Sequence, residues 1–152
     1  MAKSELEKYF KKTAAPKKGH HPEVTAPNLM LTSDKDFGDL KFSIGCQAIT
    51  KPFEMVAENH THDFDQFLFF TGGDGNNMPD LGGVVELTLS KDGKKLEKFT
   101  ITEATCVFIP AGLYHCPLNF KRVDRPIMFG HIMFAPSYAS TGAVLTPNSA
   151  GK

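Results

Sequence analysis

The sequence contains no tryptophan, and no hydrophobic run approaches the ~20 residues that a membrane-spanning helix needs. The first residues, 1–8, lack the apolar core of a secretory signal, so a cytoplasmic location is expected. Basic and acidic residues balance at 17 each, which gives no reason to expect a nucleic acid or an acidic partner. We therefore expect a cytoplasmic protein whose ligands are neither membranes nor nucleic acids.

Cysteine is also scarce, and the three cysteines, Cys46, Cys106 and Cys116, show no metal-type spacing. In a reducing compartment such residues are expected to be small buried hydrophobic groups. Cys116 directly follows His115, but neighbouring residues of a regular strand face opposite sides. Cys116 is therefore not expected to share a site with His115.

The chain does contain many short β-prone runs separated by turn signals. Its 152 residues suit one domain, which buries about 70% of its unfolded surface and needs no metal merely to fold. Thirteen phenylalanines indicate an aromatic-rich core or pocket. We find almost no helical pattern, and the sequence predicts an all-β barrel or jelly roll. Strands are predicted at 29–31, 40–44, 55–58, 60–70, 84–90, 95–102, 105–110 and 127–134, with a hairpin at Asp92-Gly93.

The ends of the chain look different from this middle. Ser4 and Glu7 form a possible capping box, and a short helix over about residues 4–12 is predicted. We divide the chain into an N-terminal arm (1–27), a barrel (28–135) and a mobile C-terminal tail (136–152). The polar segment 74–83 is predicted to be a loop, either a lid over a pocket or an inert connector.

The most informative stretch begins at His60. Read as a strand, period-two alternation places His60, His62 and Gln66 on one face. About fifty residues later, a turn marked by Pro110 and Gly112 delivers His115 to a new strand. Three imidazoles and an amide oxygen converging on one face are suited to a metal.

These two stretches resemble the two motifs of the cupin superfamily. The first motif, Gly-x5-His-x-His-x(3,4)-Glu-x6-Gly, is matched at His60, His62 and Gly73, with Gln66 in place of the Glu and Glu54 in place of the first Gly. The second motif, Gly-x5-Pro-x-Gly-x2-His-x3-Asn, is matched at Pro110, Gly112, His115 and Asn119, with Ala104 in place of the first Gly. The resemblance covers roughly residues 28–135 and implies a cupin-type double-stranded β-helix, the jelly-roll barrel.

The candidate metal ligands are therefore His60, His62, Gln66 and His115. Imidazole suits Fe, Mn, Zn or Ni, and the positions left open would admit water or substrate. Gln66 supplies an oxygen but no charge, so we expect weaker metal binding and a preference for an anionic carboxylate or enolate. If Gln66 does not bind the ion, the histidines would act alone. A barrel that has lost its metal and keeps these histidines as hydrogen-bonded pocket residues is the other possibility.

Other residues could complete the pocket. Phe64, Leu68 and Phe70 share the face of the predicted ligands, although ordinary core packing would also explain them. Asn119 completes the second motif, with a hydrogen bond to the backbone near the turn as its simplest role. His131, on the last strong strand, is a candidate proton-transfer residue, although a lone histidine on an apolar strand is more often a core residue.

Three functions fit this sequence. The first is a small metal-dependent enzyme, an isomerase, lyase, decarboxylase or dioxygenase. Isomerase- or lyase-type chemistry is slightly favoured over dioxygenation because a two-histidine, one-carboxylate iron site is absent. The second is a non-catalytic small-ligand-binding or sensing module, although no helix-turn-helix accompanies the barrel. The third, a metal-free storage-type cupin, fits the retained histidines poorly. The resemblance also implies a homodimer.

Overall fold

The computed structural model describes residues 4–11, 14–15, 21–25, 28–33, 37, 40–136 and 144–145. Within these residues the chain forms a 3₁₀ turn, Glu5–Tyr9, and twelve strands. The strands are β1 (Ala14–Ala15), β2 (Asn28–Thr32), β3 (Ser43–Ile49), β4 (Phe53–Val56), β5 (His60–Thr61), β6 (Gln66–Gly72), β7 (Asp80–Ser90), β8 (Glu97–Glu103), β9 (Thr105–Ile109), β10 (Tyr114–Val123), β11 (Ile127–Met133) and β12 (Val144–Leu145).

The strands form two antiparallel sheets. The first sheet has the order β1-β2-β3-β11-β6-β9, and the second has the order β12-β5-β10-β7-β8. β4 pairs with β10 beside the second sheet. Neighbours such as β3 and β11 are distant in sequence, so the two sheets are linked by crossovers, as in the predicted jelly roll.

The core lies between the inner faces of the two sheets. β6 shows the pattern clearly, because Gln66, Leu68 and Phe70 are buried while the residues between them are half-buried. Phe70, Phe120 and Phe129 meet in the middle, with ring centroids 5.1–6.3 Å apart. The abundant phenylalanine therefore does build an aromatic core, as the composition predicted.

Several predicted strand bounds were wrong. The segment predicted as one strand over 60–70 is broken, because β5 ends at Thr61 and β6 begins at Gln66 in the other sheet. β3 begins at Ser43 and continues to Ile49, beyond the predicted 40–44. β7 begins at Asp80, inside the segment predicted to be a loop. There Gly83 passes so close to the backbone of Arg122 that an added Cβ would lie 2.2 Å from its carbonyl oxygen. Gly83 therefore allows two strands to approach closely. Because glycine is also typical of turns, the sequence predicted a loop here and not the start of β7.

Residues 4–11 at the N-terminal end are exposed. The predicted helix over 4–12 is a shorter 3₁₀ turn, with the Ser4 hydroxyl accepting the N–H of Leu6 at 3.3 Å. Ala14–Ala15 from the predicted arm pairs with β2, and Val144–Leu145 from the predicted tail pairs with β5. Most of the predicted tail lies outside the described residues. Among the described residues, no helix is long and apolar enough to cross a membrane.

The cysteines differ from one another in exposure. All three are free thiols, with Cys46 half-buried, Cys106 exposed and Cys116 buried. The expectation of a buried side chain was therefore wrong for Cys106, which lies on the outer face of β9 at the edge of the first sheet. The alternation of β9 turns this side chain to the outer face, as it does Phe108.

Candidate metal centre

The three predicted histidine ligands lie together at one end of the barrel. β5 pairs with β10 so that His60 stands opposite His115, and His62 follows two residues later. The ring centroids are 4.3 Å apart for His60 and His115, 4.9 Å for His60 and His62, and 5.0 Å for His62 and His115. All three residues are 5% exposed or less. The fold thus gathers three imidazoles from two distant segments into one buried cluster.

Backbone carbonyls orient two of these rings. His60 donates its Nδ1–H to the carbonyl of Glu58 at 2.9 Å, and His115 donates its Nδ1–H to the carbonyl of Leu113 at 3.1 Å. A carbonyl can only accept, so both rings carry their proton on Nδ1 and keep a lone pair on Nε2. This is how metal-binding histidines are usually oriented by the groups behind them.

The cluster also keeps two of its imidazoles, His62 and His115, neutral. Burial lowers the pKa of His115 to about 3, with repulsion from His60 and His62 adding to the effect, and the hydrogen bond to Leu113 opposes it. Burial, followed by repulsion from His60, lowers the pKa of His62 to about 4. Neutral imidazole is the form that binds a metal. Both rings are therefore ready to act as ligands at neutral pH.

Gln66 contacts the cluster through its amide nitrogen. Its Nε2 lies 3.0 Å from Nε2 of His115, and because His115 keeps its proton on Nδ1, Gln66 is the donor. This hydrogen bond occupies the lone pair that His115 would offer to a metal. Binding of a metal by both residues therefore requires the Gln66 amide to turn and present its oxygen.

The structure adds Cys116 to the cluster, contrary to the sequence-based expectation. Ligand atoms of His60, His115 and Cys116 all lie within 4.8 Å of one another, in a group that could hold a metal ion, and the predicted ligand His62 is not part of that group. The pairing of β10 with β7 shifts between His115 and Leu118, and Cys116 has a φ of 77°. This bulge breaks the regular alternation, so His115 and Cys116 both face inward. The peptide bond that follows Cys116 is cis.

The other predicted pocket residues lie in different surroundings. Phe64 is buried and stacks on His62, with centroids 4.7 Å apart at 12°. Leu68 and Phe70 point inward but belong to the main core. Asn119 is half-buried on the opposite face of β10 from Leu118 and Phe120, because the bulge at Cys116 reverses the alternation after His115. Phe64 is therefore the predicted pocket residue that touches the histidine cluster directly.

His131 lies on the inner face of the first sheet. It pairs with Gly45 on one side and Leu68 on the other. Two residues further along β11, Met133 pairs with Gln66, so His131 is the next inward-facing position after that pair. Burial lowers the pKa of His131, and its Nε2 makes no hydrogen bond with any described residue. An added Cβ on Gly45 would lie 2.5 Å from the His131 ring, so the glycine makes room for it.

Backbone and polar contacts that the sequence did not reveal hold the two motifs together. Gly112 donates its N–H to the carbonyl of His62 at 2.9 Å, and Ala111 donates its N–H to the Asp65 carboxylate at 2.8 Å. Asn59 donates its Nδ2–H to the carbonyl of Cys116 at 2.9 Å. The Asp65 carboxylate therefore holds the turn of the second motif against the segment that follows the histidine pair.

The segment 74–79 is remote from this cluster. β6 starts at Gln66 beside the histidines and ends at Gly72, whose N–H is bound by the carbonyl of Met78. Six residues of strand span roughly 20 Å. The interpretation of this segment as a lid is therefore wrong for this end of the barrel.

No protein-family model and no curated protein sequence matches the chain. Solved structures do match it. A recombinant oxalate oxidase in complex with glycolate has a TM-score of 0.58 and 16% identity, covering 92% of this chain and 64% of that chain. A mutant of Bacillus subtilis oxalate decarboxylase has a TM-score of 0.53 and 12% identity, covering 79% of this chain and 28% of that chain. Another study of that decarboxylase concerns its Mn(II) centres.

The likeness to these structures concerns the fold, since the identities are low. This chain spans about two thirds of the oxalate oxidase chain and under a third of the decarboxylase chain. The two-sheet architecture agrees with the resemblance found in the motifs. The chain therefore has the jelly-roll barrel fold that this resemblance predicted.

Proposed function

We propose that the chain is a metal-dependent enzyme in which His60, His62 and His115 hold a divalent transition metal that acts on a small anionic substrate. The observation that carries the proposal is the orientation of His60 and His115, which direct their Nδ1 protons to carbonyls and keep Nε2 for a ligand. Gln66 is the proposed oxygen ligand after its amide turns. When bound, the metal supplies a Lewis acid that polarises a substrate oxygen.

The chain's own residues set the substrate class. Imidazole and amide donors are neutral, so they leave the positive charge of the ion for the substrate to balance, which favours a carboxylate or enolate. These donors suit Fe, Mn, Zn or Ni. The structural neighbours, an oxalate oxidase bound to glycolate and an oxalate decarboxylase, support small carboxylates as the first class to test.

The reaction type follows from what the ligand set lacks. A two-histidine, one-carboxylate site would favour oxygen chemistry at iron, but Gln66 stands where the carboxylate would be. We therefore favour isomerase, lyase or decarboxylase chemistry over dioxygenation. His131 is the candidate proton-transfer residue, because it is a neutral imidazole on the inner face of the barrel whose Nε2 bonds to no described residue.

A non-catalytic barrel that binds or senses a small ligand is the second candidate. It is favoured by the same replacement at Gln66, which leaves the histidine cluster without a carboxylate base. Calorimetric titration of oxalate and glycolate into metal-free and metal-loaded protein separates these readings. We expect binding only to the loaded protein, followed by product formation detected by NMR. Binding without any product supports the sensing module, and equal binding to metal-free protein contradicts the metal-dependent reading.

We also propose that two copies associate through the outer face of β6, β9 and β11. These strands contain no Asp, Glu, Lys or Arg. Phe108 and Phe134 are 50% and 47% exposed there, and both contact Phe67 at centroid distances of 5.0 and 6.2 Å. An uncharged apolar face that ends in an edge strand usually marks an interaction surface.

Light scattering after gel filtration tests the association. We expect a dimeric mass for the wild type and a monomeric mass for Phe108→Asp. Phe99→Asp is the matched control, since Phe99 is similarly exposed but lies on β8 of the second sheet. A monomeric wild type would reject the proposal.

A further inference from the structure

We propose that the Cys116 thiolate is a metal ligand beside His60 and His115, and that it supplies the negative charge that Gln66 does not. This inference rests on the proposed metal centre and deepens it, because it assigns the ligand set and the class of metal. The site would then combine a soft sulfur donor with borderline imidazole donors. Zn²⁺, Co²⁺ or Fe²⁺ suit such a set better than Mn²⁺ or Mg²⁺, which prefer oxygen.

The Cys116 thiol lies close to two of the histidines. Cys116 Sγ lies within 4.8 Å of the ligand atoms of both His60 and His115. The residue is 3% exposed, so the thiol lies inside the barrel with the imidazoles. Sequence neighbours on a regular strand could not both take part in such a site.

An unusual backbone conformation at Cys116 directs the thiol toward the histidines. Cys116 has a φ of 77°, in the left-handed region that non-glycine residues seldom occupy. The bulge between His115 and Leu118 belongs to this conformation. Bulges beside functional sites commonly re-aim a side chain. Here the result is a thiol directed toward two histidines.

A side-chain hydrogen bond holds the bulge in place. The Asn59 amide donates to the carbonyl of Cys116 at 2.9 Å, and Asn59 immediately precedes His60. The Asn59 side chain therefore links the backbone next to His60 to the backbone next to His115. This contact fixes the relative positions of His60, His115 and Cys116 before any ion arrives, which reduces the cost of assembling the site.

A thiolate ligand also changes the net charge of the proposed metal site. Without a carboxylate at Gln66, three imidazoles alone would leave the full charge of the ion inside a buried site. A thiolate lowers that net charge to one and leaves an attraction for an anionic substrate. A bound cation deprotonates a coordinating thiol, and the proton leaves to solvent.

Cobalt(II) titration of the reduced, untagged full chain tests the ligand set directly. We expect an intense near-ultraviolet thiolate-to-cobalt charge-transfer band in the wild type and its loss in Cys116→Ser. Cys106→Ser is the matched control, because Cys106 is exposed on the first sheet, and it should keep the band. Chelator competition should show Zn²⁺ affinity reduced at least ten-fold in Cys116→Ser, about 1.4 kcal/mol, with a much smaller change for Mn²⁺. A residue that only packed beside the site would lower both affinities alike.

A measurement on the wild type alone covers the case in which the variant does not fold. Zinc K-edge absorption of the loaded protein should show a sulfur neighbour at about 2.3 Å beside nitrogen neighbours at about 2.0–2.1 Å. Stoichiometric metal with nitrogen and oxygen neighbours but no sulfur would overturn the role of Cys116 and leave the histidine site standing. No cobalt or zinc binding at all would overturn the metal centre itself.

Discussion

At the scale of single residues, the candidate site depends on imidazoles that the barrel keeps neutral. His62 and His115 gain nothing from protonation in the folded state, because burial and their neighbours disfavour a positive charge. The same property that makes them ligands makes them a liability in acid. Proton binding to the unfolded chain and metal binding to the folded chain therefore pull the stability in opposite directions.

The metal-free protein should lose stability as the pH falls below the pKa of an ordinary histidine side chain. The pKa values of His62 and His115 are lowered to about 4 and about 3, so the unfolded chain binds more protons than the folded chain below pH ~6.5. Each group then costs about 1.4 kcal/mol per pH unit, whereas above pH ~6.5 neither contributes. Urea unfolding with a chelator present measures this. His115→Gln should have the shallower dependence, and equal slopes in the two proteins would contradict the assignment.

Replacing Gln66 by Glu should strengthen metal binding. The carboxylate adds a negative ligand where the amide now only donates to His115. We expect Zn²⁺ affinity to rise at least ten-fold, about 1.4 kcal/mol, in a chelator competition assay. Gln66→Ala is the control that removes the amide without adding charge and should not raise the affinity. Unchanged affinity in Gln66→Glu would mean that this position does not face the ion.

Residue types and spacing were enough to select His60, His62 and His115 as one cluster. The single strand assumed over 60–70 was wrong, because it ends at Thr61 and Gln66 lies on β6 of the other sheet. Residue types and spacing were not enough to find Cys116, because the argument assumed an unbroken strand. Pro117, which cannot donate to a ladder inside β10, was the available signal of a bulge. Asn119 was misplaced for the same reason, since the bulge reverses which residues face inward.

At the scale of elements, the turn before β10 is fastened to the segment after the histidine pair. Ala111 and Gly112 donate to Asp65 and His62, and the N–H of Leu113 is bound by the carbonyl of Pro110. Because the Leu113 carbonyl in turn orients His115, movement of this turn would misdirect a ligand. The two motifs therefore act as one unit.

Removing the Asp65 carboxylate should loosen this unit without unfolding the barrel. Asp65 is exposed, and its loss frees the Ala111 N–H. We expect Asp65→Ala to lower Zn²⁺ affinity about ten-fold, within the range for groups that support a metal ligand, while circular dichroism stays unchanged. Asp65→Asn keeps an acceptor oxygen and should retain most of the affinity. A variant Asp65→Ala that binds zinc like the wild type would show that the turn does not control the site.

Strand packing on the outer face of the first sheet can be tested at Gly130. The Phe69 ring covers this glycine, and an added Cβ would lie 1.9 Å from its Cζ. Gly130→Ala should destabilise the protein by about 1–3 kcal/mol in urea unfolding, because the ring must move. Gly75→Ala is the control, since nothing lies within 4 Å of its added Cβ, and its effect should stay below about 1 kcal/mol. Equal stabilities would contradict the packing described.

Most strands were predictable because alternation and turn residues carry the signal. β9 and β11 agree with the predicted segments within one residue. The hairpin between β7 and β8 was also predicted, and the Asp92 carboxylate there accepts the N–H groups of Lys94 and Lys95. Boundaries failed where glycine served a close approach of strands, since composition alone does not distinguish that use of glycine from a turn.

At the scale of the whole molecule, the barrel has two apolar surfaces. The inner one, with Phe70, Phe120 and Phe129, is the core and was foreseeable from the phenylalanine content. The outer one, with Phe67 and Phe108, uses the same residue type on the other face of the same sheet. No composition argument separates these two uses, because both faces of β6 are apolar.

The central claim is that this end of the barrel is a metal site, and elemental analysis of the untagged protein tests it most directly. The wild type should carry close to one equivalent of a single transition metal, as purified or after reconstitution. His60→Ala and His115→Ala should lose it while keeping the β-sheet circular dichroism of the wild type. A wild type that stays metal-free after reconstitution, beside folded variants, would contradict the account and favour a ligand-binding barrel.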